Sequence, residues 1–140
     1  MAKYTAIPLQ TVEVGQNVIL DDAIRCNRGY ALHTAGSGLV TLRGITNQCF
    51  ARYKVSFGGN IQIPADGTVE EISIALSLEG EPLGSARAIV TPAAVEEFAN
   101  VFVADIIDVP RGCCLTVGVR NTSTQDIEVQ NGNLIVERIA

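Results

Sequence analysis

The chain is a succession of short alternating runs, and none of them sustains a helical period. Glu71–Leu78 is the cleanest: Ile72, Ile74, Leu76 and Leu78 recur at every second residue, with Ser73, Ala75 and Ser77 between them. A period of two places successive side chains on opposite faces of a strand. Cys49–Phe57 alternates too, with Tyr53, Val55 and Phe57 on one face and Arg52, Lys54 and Ser56 on the other. In Cys113–Arg120, Leu115, Val117 and Val119 oppose Cys114, Thr116, Gly118 and Arg120. The best helical stretch, Ala93–Ala99 after Pro92, is only about two turns long. Gly, Pro, Asn and Asp separate the runs. Many short strands between turn residues predict an all-β sandwich or barrel. About nine or ten short antiparallel strands suit a two-sheet jelly-roll β-sandwich.

Two segments are apolar on both faces. Asn100–Val109 sets Phe102, Ala104 and Ile106 against Val101, Val103, Ile107 and Val109. The final stretch sets Leu134 and Val136 against Ile135 and Ile139, and Asn131-Gly132 before it predicts a type I′ hairpin turn. A strand apolar on both faces needs cover on both sides. A sandwich core supplies one cover. The other points to a subunit interface, with Phe102, Ala104, Ile106, Ile135 and Ile139 as its candidate residues. The small residues Ser73, Ala75 and Ser77 likewise suggest close packing on their face.

Composition agrees. Of 140 residues, 47% are apolar and 18% charged, against about a quarter charged in an ordinary soluble domain. Aromatics are 5% with no Trp, so the core must be aliphatic. One domain is expected over 1–140, with N-terminal strands and an arm in 1–35 and the core in 36–140. The net charge is −5 with no basic stripe, which argues against nucleic acid as a partner. The N-terminus lacks the apolar stretch of a signal peptide, and no run is long enough to span a membrane. Synthesis in the cytoplasm without membrane insertion is expected. Cys26, Cys49, Cys113 and Cys114 form no C-x-x-C pair and read as buried free thiols.

No catalytic constellation emerges. His33 is the only imidazole, and no G-x-S-x-G elbow accompanies it. The pairs Asp21-Asp22, Glu70-Glu71 and Glu96-Glu97 lie near turns, where solvated carboxylates are ordinary. Gly36-Ser37-Gly38 lacks the Lys of a phosphate loop. No metal or other cofactor is implied. Asp105 lies in an apolar run and requires a partner; Arg120 or Arg138 on neighbouring strands could supply it. Asn121-Thr122-Ser123 matches the glycosylation pattern but reads as a turn.

Several segments together resemble the trimeric jelly-roll domains of the tumour necrosis factor and complement globular-head superfamily. Phe50-Ala51-Arg52-Tyr53-Lys54-Val55-Ser56-Phe57 is similar to that superfamily's aromatic central strand. Ile72–Leu83, Asn100–Val109 and Cys113–Val119 follow in its order. Gly132-Asn133-Leu134-Ile135-Val136-Glu137-Arg138-Ile139-Ala140 resembles its closing strand. The likeness runs from about Gly36 to Ala140 and is strongest to the bacterial and phage branch, including tip domains of collagen-like spore-surface glycoproteins. The 140 residues contain no Gly-x-y collagen-like stretch, a departure from that branch. The resemblance implies a homotrimer and carries over no catalytic residue. It leads to the expectation of a non-enzymatic virion component, a capsid decoration or head-fibre protein, with the major capsid or another virion protein as partner. The alternative is a ligand- or glycan-binding module of a bacterial cell or spore surface, using apical loops at Asp21, Asp22 and Arg28, Gly58–Asn60 and Gly80–Gly84.

Overall fold

The computed structural model describes residues 2–20, 22–23, 31–33, 36–112 and 114–139. Eleven strands form among them: β1 (Ala2–Ala6), β2 (Gln10–Val12), β3 (Asp22–Ala23), β4 (Ala31–His33), β5 (Val40–Arg43), β6 (Phe50–Gln62), β7 (Ile72–Leu78), β8 (Glu81–Val90), β9 (Ala99–Pro110), β10 (Cys114–Asn121) and β11 (Ile127–Arg138). The first sheet has the order β3-β1-β11-β6-β9, with β2 also pairing β11; the second has the order β4-β5-β10-β7-β8. All the strand pairings are antiparallel. The architecture is an all-β jelly-roll sandwich, as the alternation predicts.

The core lies between the sheets. Tyr53, Val55 and Phe57 of β6 and Ile72, Ile74 and Leu76 of β7 are fully buried there, with Leu134 and Val136 of β11. The buried Tyr53 hydroxyl donates to the Arg43 carbonyl at 2.6 Å, which satisfies the polar end of an otherwise apolar side chain.

Several expectations need correction. Asn131-Gly132 makes no hairpin, because β11 runs unbroken through it. Gln130 pairs Asn60 and Asn133 pairs Gly58, so Asn131 and Gly132 together face Gly59. That two-for-one count is a β-bulge. Asn131 has φ 57, so the left-handed preference expected of a turn residue is used inside a strand. The tight hairpin lies elsewhere, at Glu79-Gly80 between β7 and β8, with φ 53 and 85. Positive φ at both central residues fits a type I′ connection. Gly58–Asn60 belongs to the interior strand β6 and is not an apical loop. Gly80 is a turn residue, and Glu81–Gly84 belong to β8. Ala93–Glu96 forms a bend followed by a turn, with Glu96 at φ 58, a conformation that stops a helix.

The small face of β7 is covered, as its composition suggests. Ser73, Ala75 and Ser77 are buried. Thr122 Oγ1 lies 2.6 Å from Ser73 Oγ, and Arg87 Nη2 donates to the same oxygen at 3.0 Å. The Ser123 hydroxyl accepts from Ser73 N–H at 2.8 Å. Asn121 is 1% exposed, and its amide nitrogen donates to the carbonyls of Val12 and Gln125, both at 3.0 Å. That side chain stitches the end of the sandwich and is closed to modification. The cysteine expectation fails where it can be read: Cys49 and Cys114 are exposed, while Cys26 and Cys113 lie outside the described residues.

Candidate functional site

The first sheet has two faces, and β9 shows both. Val101, Val103, Ile107 and Val109 point into the core, while Phe102 and Ile106 point outward and are 65% and 55% exposed. Strand pairing then gathers an outer patch. Ala104 pairs Ser56, and Ser56 pairs Ile135, giving one cross-strand row. Phe102 pairs Gly58 in the next row, where a side chain at Gly58 would meet the Phe102 ring at 3.6 Å. Ile106 pairs Lys54 on the other side. Ile139 follows β11, with its N–H donating to the Arg52 carbonyl at 2.9 Å, and is 45% exposed. Phe102, Ala104, Ile106, Ile135 and Ile139 therefore share one face.

One ion pair sits at the edge of this patch. Arg52 Nε donates to Asp108 Oδ1 at 2.8 Å, and Arg52 Nη2 donates to Asp108 Oδ2 at 3.2 Å. The guanidinium lies 5.1 Å from the centroid of the Phe50 ring, within cation–π range. The hydrogen bond from Arg52 holds the Asp108 carboxyl below the usual carboxylate range, against the opposing cost of desolvation. The same bond raises Arg52. Phe50, Arg52 and Asp108 are not evident from sequence alone, because the Arg52–Asp108 register depends on β6 meeting β9 across a long separation.

Asp105 does have a partner, but not an arginine. The Ser85 hydroxyl of β8 donates to its Oδ2 at 2.7 Å, and Ile106 N–H donates to its Oδ1 at 2.8 Å. Arg120 instead donates from Nη1 to the Gly80 carbonyl at 2.5 Å. The Arg138 guanidinium stands 5.8 Å from the centroid of the Tyr53 ring. The bond from Ser85 ties the edge strand of the second sheet to the edge strand of the first. A hydroxyl suffices because the strand edge leaves Asp105 only partly buried.

Of the apical-loop candidates, Asp21 and Arg28 lie outside the described residues. Asp22 belongs to β3, and its side chain is likewise outside the description. His33 is partly buried; its Nε2–H donates to the Ser37 carbonyl at 2.8 Å, and its ring centroid lies 4.8 Å from that of Tyr4. Burial raises the Tyr4 phenol above its ordinary value. Among the described residues no group of three or more His, Cys, Asp or Glu is placed to hold a metal. No helix among them is long and apolar enough to cross a membrane.

No family model and no curated protein matches the chain by sequence. Solved structures match by shape. Eiger TNF from S. frugiperda superposes with a TM-score of 0.66 at 16% identity, covering 99% of this chain and 91% of that one. The globular domain of zebrafish complement 1qA protein gives 0.56 at 9% identity, covering 96% and 94%. PRD1 vertex protein P5 gives 0.54 at 10% identity, covering 99% and 96%. The chain shares its jelly-roll fold with all three of these proteins.

Proposed function

We propose that this is a non-enzymatic structural protein that works as a homotrimer, closed through the outer face of its first sheet. The observation that carries the proposal is the outer patch of Phe102, Ala104, Ile106, Ile135 and Ile139. It leaves aromatic and branched side chains in water beside a fully formed core, as a contact surface does. Charge selects a copy of the same chain as the occupant. Among the described residues of this face, Lys3, Arg52 and Lys54 are matched one for one by Asp108, Glu128 and Glu137. Copies can meet across these six side chains with opposite charges available to each other. The resemblance to trimeric jelly rolls supplies the stoichiometry, and closed cyclic symmetry consumes the patch on every copy.

The biological setting proposed is a virion, as a capsid decoration or head-fibre protein that binds the major capsid protein or another virion protein. The shared fold with PRD1 vertex protein P5 supports this setting. Synthesis in the cytoplasm precedes incorporation. Sedimentation velocity tests the assembly: one species at about three times the monomer mass is expected of a cyclic trimer, and a well-behaved monomer overturns it. Co-sedimentation with purified particles tests the setting, and absence from them overturns it.

A further inference from the structure

We infer that the Arg52–Asp108 ion pair selects the trimer's register and does not supply its affinity; the inference rests on the proposed trimer. The pair sits among apolar groups. Ile139 lies beside Arg52 through their backbone bond, Ile106 is two residues from Asp108 on the same face, and the Phe50 ring flanks the guanidinium. Its side chains are 42% and 43% exposed in a single copy, so an approaching copy would remove water from a pair already partly covered.

Two physical arguments converge. Apolar contact is non-directional. A patch of Phe102, Ile106, Ile135 and Ile139 would let copies settle at several offsets. A bidentate guanidinium–carboxylate pair is directional, because its planar fork presents unused donor and acceptor sites at fixed angles. Covering such a pair costs desolvation that its own attraction only partly returns. Packing that satisfies those sites is tolerated, and packing that leaves them dry and unmatched is penalised. The pair thus disfavours wrong offsets more than it favours the right one, as buried polar groups do where they fix register.

Three variants test this, with the wild-type protein as reference. Arg52→Met/Asp108→Leu should still self-associate, with a dissociation constant within threefold of wild type. Native mass spectrometry should then show a mixture of stoichiometries in place of one. Asp108→Leu alone leaves a cation unmatched in the contact and should weaken assembly at least tenfold. Arg52→Asp/Asp108→Arg keeps a pair within the chain, so folding is preserved, but turns its donors and acceptors around and should lose the unique trimer. A double Met/Leu variant as homogeneous as wild type overturns the inference. So does one that dissociates as readily as Asp108→Leu, since the pair would then supply affinity. A reversed pair that still yields one trimer also overturns it. If the wild-type protein is itself monomeric, the trimer proposal fails first, and that result is distinguishable from all of these.

Discussion

Phe57 occupies a slot that only glycine leaves open. Its ring is fully buried. A methyl group at Gly132 would stand 3.1 Å from two of its carbons, and one at Gly59 would stand 3.3 Å from it and 3.1 Å from Gly132 Cα. The ring is held from two strands and cannot shift without opening the core. Gly132→Ala should therefore destabilise the fold by about 1–3 kcal/mol, the usual cost of overpacking. Gly84→Ala meets nothing within 4 Å and should stay within about 0.5 kcal/mol. Urea unfolding of the two variants checks the contrast. Asp108 gives a second prediction. Its folded pKa is depressed, so its contribution is present above the unfolded carboxylate value of about 4 and is lost as pH falls through the lower folded value. Asp108→Asn should melt below wild type at pH 7, and the gap should close towards pH 2. A gap that persists in acid would assign the effect to packing. The need for a partner at Asp105 is legible from its apolar neighbours. The identity of that partner is not, because Ser85 reaches it from the edge strand of the other sheet.

At the scale of elements, alternation exposes β6, β7 and β10 directly, whereas β11 is misread at one dipeptide. Asn-Gly marks a positive φ, and a type I′ turn and a bulge both use one. What decides between them is the partner strand: β6 continues past Gly59, so β11 continues as well. The bulge also changes phase. Ile127 and Val129 point inward before it, and Leu134 and Val136 point inward after it. Without an extra residue, strict alternation from Ile127 would turn Leu134 and Val136 outward. Deleting Asn131 should thus be tolerated, since Gly132 would face Gly59 alone and every later pair would keep its register. The cost is the bond from Asn131 N–H to the Ile7 carbonyl, about 1 kcal/mol. Deleting Ile135 shifts the phase of the residues around it and should prevent folding. Far-UV circular dichroism with cooperative thermal melting distinguishes the two deletions.

At the scale of the whole molecule, the doubly apolar strands are the legible part of the candidate site. β9 must serve a core and a second surface, and its outward residues emerge on one face with those of β11. The ion pair beside them is illegible because it requires a register between distant strands. This face makes folding and association separable. Phe102 and Ile106 contribute little to the core of a single copy, being 65% and 55% exposed. Phe102→Asp and Ile106→Asp should accordingly leave each copy folded, while placing a carboxylate in every contact of the proposed trimer. Association stabilises a fold by mass action, so an oligomer melts at a temperature that rises with protein concentration. Wild type should show that rise, and both aspartate variants should melt at one temperature across a hundredfold dilution with a monomer's sedimentation. Variants that remain associated would move the contact to another face, and variants that unfold would make this face part of the core.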